Sequence, residues 1–412
     1  MRRMSWSICG LLTLNGITIL GNALTEVAIP WLILEISDSP ALVAAVMAAK
    51  ITPVILSTFF SAPFVDRLGA FRASVLSDLV NFFSVLLIPV FYHADLLTLS
   101  LLAALLVLST LLDTPSRLAK DVILRHEIKR HQLDHHLING VNTTLENICD
   151  LLGPVVAALI VAAFGTISAL YFDAATFFAV AFGMIVLKKH FRPEAERTKP
   201  DSAPPLRYFS EGMKYLRQQR ALLSVLYLSA TVNLVITPFL FVYLPYLNKF
   251  VFESVMSLGV SMTCFGAGTS VSSLLFGFFG KRFSNRQIMF TGYLSLAVVL
   301  LSMSFFASQP LFFIQLFVIG LCLGFAGPIE VTLIQTVVPE ALFGRVMTLF
   351  SSVRFLSVPA GYLVFGWLLE SAFANWTPVV MASTVLMGVI AYWRMNTASS
   401  IRLNPAEIEK DV

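Results

Sequence analysis

Residues 62–72 read APFVDRLGAFR. The apolar run VILSTFFSAPF leads into them and LVNFFSVLLIPVFY follows. Each flank is long enough to belong to a membrane crossing of ~20 residues. An acid, a base, a glycine and a second base therefore mark a tight turn between two crossings. Gly69 suits the reversal, and Arg67 and Arg72 hold the turn on the cytoplasmic side. Asp66 is not needed for orientation, because acids contribute little to it. Its expected task is to accept hydrogen bonds from a helix N-terminus or from an arginine of a neighbouring span.

The rest of the chain repeats this alternation. Of 412 residues, 57% are hydrophobic and 13% charged, against about 25% charged in a soluble domain. One water-soluble core cannot absorb that excess, so lipid is the expected solvent for most of the chain. Charges and turn residues bound twelve apolar stretches, at 8–34, 40–64, 72–92, 96–116, 140–164, 167–187, 221–247, 255–279, 288–307, 310–337, 347–369 and 376–394. The first is too long for a cleaved signal segment and lacks a small-residue cleavage site after it, so a retained helix is expected. All but three of the 28 lysines and arginines fall at the termini or in the even-to-odd connections. The positive-inside rule then puts both termini in the cytoplasm of a cell inner membrane. The net charge of +4 is that bias summed up and points to no nucleic acid. Cys9, Cys149, Cys264 and Cys322 each fall inside a stretch, with no C-x-x-C, so neither a disulfide nor a metal site is expected. His126, His131, His135 and His136 crowd a basic connection without cysteine ligands, and metal is not expected there either.

The longest polar stretch, 188–220, carries Pro193, Pro200, Pro204 and Pro205. Its first part reads as a linker and 206–219 as a short amphipathic helix on the inner membrane face. The predicted organisation is a six-helix half at 1–187, the linker at 188–220, a second six-helix half at 221–396 and a cytoplasmic tail at 397–412. Equivalent turns recur in both halves: GFFGKRFSNRQ answers APFVDRLGAFR, and VVPEALFGRVM answers DTPSRLAKDVILRHEI. A duplication with parallel halves is a pattern of secondary transporters.

These residues resemble a known family. The turn at 62–72 resembles the signature loop of the major facilitator superfamily, G-x-x-x-D-R-x-G-R-[RK]. Asp66, Arg67 and Gly69 match it, Ala62 replaces the first glycine, and Arg72 lies one place beyond the usual basic pair. The second-half copy keeps Gly277 and Arg282 but puts Lys281 at the acid's place. GNALTEVAIPWLILEISDSP, TPSRLA, LLGPVVAALI, YFDAATF and VPEALFGRVMTLF resemble, in order, segments of the macrolide-efflux and enterobactin-exporter branch. The resemblance implies an all-α membrane protein of twelve transmembrane helices in two pseudo-symmetric halves. It also implies that Asp66, Arg67, Gly69 and Arg72 latch the halves on the cytoplasmic side in the outward-facing state, near Asp113, Arg117 and the start of the eleventh helix. It does not fix a substrate, since one scaffold serves many.

An ionised group at mid-membrane costs at least ~3 kcal/mol, so each needs a reason. Asp78 and Asp173 fall where the family commonly has acids and read as structural. Glu26, Glu146, Asp150 and Glu330 are the proton-coupling candidates. Glu146 and Asp150 stand one helical turn apart, where two carboxylates in a low dielectric resist double ionisation. Asn22, Lys50, Asn233 and Arg354 are the substrate-cavity candidates. The family fold places spans two and eleven side by side, which would make Lys50 and Arg354 an anion clamp. Alternatively they neutralise acids in buried pairs. No P-loop, H-E-x-x-H or G-x-S-x-G occurs, so neither ATP use nor hydrolysis is read, and no cofactor is expected. The expectation is a monomeric, proton-coupled exporter of an amphipathic organic solute, drug-like or siderophore. The alternatives are an importer or facilitator of a small organic anion, or a non-transporting sensor or assembly factor.

Overall fold

The computed structural model describes residues 6–190, 213–216, 219–305 and 308–397. The proline-rich part of the linker and the tail lie outside the described residues. Of the expected amphipathic helix at 206–219, only 213–216 and Gln219 are described. The chain is helical at 213–216, Gln219 already caps the next helix, Leu216 is buried, and the Tyr215 hydroxyl donates to the Val337 carbonyl at 2.7 Å.

The first six helices are α1 (Trp6–Ser37), α2 (Pro40–Leu68), α3 (Ala70–His93), α4 (Leu99–Arg130), α5 (His135–Phe164) and α6 (Thr166–Leu187). After the linker come α7 (Arg220–Pro238), α8 (Leu244–Phe250), α9 (Val255–Phe279), α10 (Asn285–Ser302), α11 (Gln309–Leu323), α12 (Ala326–Val337), α13 (Glu340–Leu356), α14 (Val358–Glu370) and α15 (Thr377–Thr397). No strand occurs among the described residues. Ten spans there are long and apolar enough to cross a membrane. α2 contributes a shorter apolar stretch, Pro40–Val54, and α10 has 18 residues.

Local chemistry sets the boundaries. Ser39 caps α2, accepting from the Leu42 amide at 3.2 Å, and Pro40 follows at the first helical position. Gly69 has φ of +80°, a conformation open to glycine, and it turns α2 into α3 within one residue. Ser284 and Gln287 form a reciprocal capping box at α10.

Four of the expected stretches are corrected. The fourth stretch was expected to end near 116, yet α4 runs on to Arg130 through Pro115. The basic loop of the sequence reading is thus largely helix, because a long helix can project beyond the bilayer while its basic side chains reach water. The stretches at 221–247, 310–337 and 347–369 each read as one helix and are each interrupted. A π turn, Phe239–Tyr243, follows Pro238, Gly324 and Phe325 separate α11 from α12, and Ser357 precedes Pro359 at the start of α14. Proline removes one backbone donor and crowds the preceding turn, which bends or breaks a helix.

Packing repeats in the two arrays. In the first, α1 packs on α5 and α6, α3 on α4 and α6, and α2 on α4. In the second, α7 packs on α14 and α15, α10 on α11 and α15, and α9 on α11. Between the arrays the main contacts are α2 with α14 and α5 with α9, themselves an equivalent pair. α3 shows why such helices hold together in lipid. Its Ser74, Ser77, Asp78, Asn81 and Ser84 recur every three or four residues and are all buried. Small and polar side chains allow close approach and bond across helices where no hydrophobic drive exists.

Candidate functional site

Between the arrays lies a cavity of about 220 Å3. α1 supplies Asn22, Thr25 and Glu26, and α2 supplies Lys50. Asp113 enters from α4, and Asp173 and Phe177 from α6. The second array contributes Thr237, Phe241 and Tyr362. Three carboxylates and one ammonium thus face one space, all from the first array.

These groups differ in what holds them. Asp173 is fully buried and accepts from the hydroxyls of Thr25 and Thr176. Asp113 accepts from the Asn81 amide at 3.0 Å. Asn81 lies one turn from Asp78, whose carboxylate meets the Lys120 ammonium at 3.1 Å and the Ser116 hydroxyl at 2.7 Å. Lys120 also donates to Thr18 at 3.2 Å. The Asp78–Lys120 pair is buried and has further hydrogen bonds, the condition under which a buried ion pair is tolerated. It anchors the polar side of α3 that positions Asp113. Glu26 and Lys50 face the cavity and make no ion pair among the described residues.

Several residues singled out from sequence lie elsewhere. Glu330 is 6% exposed and accepts from Ser229 and, at 3.1 Å, from Arg354. Arg354 therefore completes a pair within the second array. The expected clamp with Lys50 is not assembled, because the nearer carboxylate holds the guanidinium. Asn233 donates to the Ser229 carbonyl of its own helix. Glu146 accepts from Asn15 and Asn142 and stands 3.7 Å from Arg117. Asp150, one turn on, is exposed, and neither acid lines the cavity. Asp66 and Arg67 are exposed, and Asp66 makes no ion pair among the described residues. Arg117 stands beside Glu146, and Asp113 lines the cavity. Of the four histidines, His131 lies 3.4 Å from Glu127, which also binds Ser7 and Arg130.

The opposite end of the bundle is closed. Glu370, at the C-terminus of α14, accepts from the Ser39 hydroxyl at 2.6 Å and the Ala41 amide at 3.1 Å. A carboxylate of one array therefore sits on the helix N-terminus of the other, where the dipole favours it. Gly366 packs so closely on Ala41 and Ala44 that a Cβ there would overlap Ala44. The Thr263 hydroxyl donates to the Leu151 carbonyl at 3.1 Å, joining α9 to α5. Lys249 lies 5.4 Å from the Trp31 ring centre, joining α8 to α1.

Two similar helical arrays around a charged cavity, closed at one end, define a multi-pass membrane transporter rather than an enzyme. The chain belongs to the transmembrane secretion effector family, which matches residues 8–407, and so to the efflux branch of the major facilitator superfamily. It is 26% identical over 384 residues to the multidrug efflux pump Tap of Mycolicibacterium fortuitum, covering 90% of this chain and 91% of that one. It is 26% identical over 232 residues to macrolide efflux protein A of Enterococcus faecalis, covering 54% of this chain and 69% of that one. The fold is similar to the crystal structure of the nucleoside transporter NupG, with a TM-score of 0.77 at 14% identity over 95% of this chain and 99% of that one.

Sequence reasoning missed three parts of the cavity. Asp113 was assigned to the latch, Asp173 to the scaffold, and Phe241 and Tyr362 were not singled out. Asp113 was read at the cytoplasmic end of its span because α4 was expected to stop near 116; for the others, the face turned to the cavity depends on helix rotation, which packing decides.

Proposed function

We propose that this chain is a proton-coupled exporter of drug-like amphipathic solutes that works by alternating access. The relatives named as multidrug and macrolide efflux proteins support the cargo, and favour a drug-like solute over a siderophore. In this reading α2 and α10 also cross, giving twelve spans with both termini cytoplasmic. The units are a six-helix half at 1–187, a linker at 188–220, a half at 221–396 and a tail at 397–412. The protein acts as a monomer in the cell inner membrane.

One observation carries the reading: the cavity lies between the arrays, and the Glu370 carboxylate joins them at the α1–α2 end. With the positive-inside orientation this is the inward-facing member of an alternating pair. Rocking would open the Glu370 contact and engage Asp66 and Arg67. The proton would be carried in the cavity by Glu26 or Asp113, which face the solute path. Asp173 is occupied by two hydroxyls, and Glu330 and Glu146 by basic partners. A carboxylate that must cross between two aqueous faces does so more readily when neutral.

The test uses proteoliposomes with an imposed pH gradient and a panel of fluorescent amphipathic dyes. Wild type should concentrate dye only with the gradient. Glu26→Gln and Asp113→Asn should remove that dependence in at least one case while downhill exchange persists. Glu330→Gln and Asp150→Asn should retain coupling. Accumulation indifferent to the gradient in wild type would sink the proton mechanism.

A further inference from the structure

The charge in the cavity is distributed unevenly between its two walls. The first-array wall carries every ionisable group that could meet a solute: Glu26, Asp113 and Asp173 as carboxylates and Lys50 as the sole base. The second-array wall offers Thr237, Phe241 and Tyr362. The second array does possess a membrane-embedded acid and base, but Glu330 and Arg354 are spent on each other and do not line the space. The asymmetry is therefore a property of the site and not of the composition of the two arrays.

We propose that the cavity takes a compact organic cation end-on. Its charged group lies against Glu26 and Asp113 on the first array, and its apolar body lies against Phe241 and Tyr362 on the second. The inference deepens the transport reading of the same site and rests on it.

The argument follows from counting partners. Asp173 accepts from the Thr25 hydroxyl and shares the Thr176 hydroxyl with its own backbone carbonyl, more donor contact than either other carboxylate has. Asp113 has one amide donor from Asn81, and Glu26 has no hydrogen-bond or ion-pair partner among the described residues. Lys50 can balance one of these carboxylates. With both carboxylates ionised, an anionic solute would enter against an uncompensated negative charge, and an uncharged one would displace water from a carboxylate without bringing a compensating charge. A cation does neither. The aromatic rings opposite suit the apolar body and attract the cation's flank through their faces. The space of about 220 Å3 is enough for a single-ring cation with a short substituent, which makes such a cation a suitable probe.

Three probes of matched shape test this on the purified full chain in detergent, without a gradient: benzyltrimethylammonium, its uncharged carbon isostere neopentylbenzene, and the anion benzenesulfonate. Binding is read by calorimetry and by the shift in thermal unfolding. The cation should bind at least ~10-fold more tightly than either other probe, an affinity ratio equivalent to ~1.4 kcal/mol. Glu26→Gln or Asp113→Asn should erase that preference while leaving the isostere's affinity unchanged. Phe241→Ala should weaken cation and isostere alike. Equal binding of cation and isostere by wild type, preference for the anion, no binding of any probe, or a preference that survives both carboxylate changes would overturn the proposal. Because no transport is measured, a protein that selects the cation but fails to move solute in liposomes would refute the exporter reading and leave this inference standing.

Discussion

Removing the Glu370 carboxylate should release the closed end of the transporter. Its two inter-array hydrogen bonds, to the Ser39 hydroxyl at 2.6 Å and the Ala41 amide at 3.1 Å, exist only while α2 and α14 stay together. A hydrogen bond to a charged group is worth ~1.5–3 kcal/mol in protected surroundings. Glu370 is exposed, so water competes, and ~1 kcal/mol for each bond is the fitting scale. Glu370→Ala should then cost this conformation ~2 kcal/mol relative to the one with that end open, an equilibrium shift of ~30-fold. Glu370→Gln keeps an acceptor but loses the charge, and should shift it by ~5-fold, or ~1 kcal/mol. The assay is pulsed spin-label distance measurement in a background with the four cysteines replaced. One label pair, at Leu42 and Phe373, spans the closed end, and another, at Leu137 and Phe283, spans the open one. All four side chains are exposed. The first distance should lengthen and the second shorten, by more in the alanine variant. Asp95→Asn is the control, because it removes an acid from the turn that follows α3 without touching the second array. Unchanged distributions in Glu370→Ala, or an equal change in Asp95→Asn, would refute the reasoning.

Three further outcomes follow from the same geometry. Asp66→Asn should enlarge the population of this conformation in the same distance assay, because the latch it would form belongs to the other state and Asp66 makes no ion pair among the described residues; a shift the other way would contradict the latch. Arg354→Gln should lower stability by ~3–5 kcal/mol, since Glu330 would be left buried without its partner, whereas Lys50→Gln should change the detergent melting temperature little; equal losses in the two variants would contradict the partner assignment. Gly366→Val should force α14 away from Ala44 and mimic Glu370→Ala in the labels, with reduced solute accumulation in liposomes; wild-type distances would show that the helices have room to spare.

Much of this was legible along the chain. Asp78 was readable as a structural acid within a span, and it is buried with Ser74, Ser77, Asn81 and Ser84 because lipid offers such groups no partner. The turn around Gly69 was likewise readable, since so short a reversal leaves few alternatives. Partner choice was not legible. Arg354 has Glu330 in reach only because α12 and α13 fold back on each other, and Lys120 meets Asp78 only because α4 continues past Pro115 instead of ending there. Glu146 and Asp150 look equivalent by spacing, yet a rotation of one turn gives the first Arg117 and two asparagine amides and the second none of them.

The amino-acid sequence by itself determined the lipid solvent, the helical class and the family, because each depends on local composition or on short motifs. Tertiary structure alone decided which charges cancel and which face the cavity. That choice depends on helix rotation and on separations of a few ångströms between residues far apart in the chain, as with Ser39 and Glu370. At such distances in a low dielectric, a shift of one turn changes a charge from paired to available.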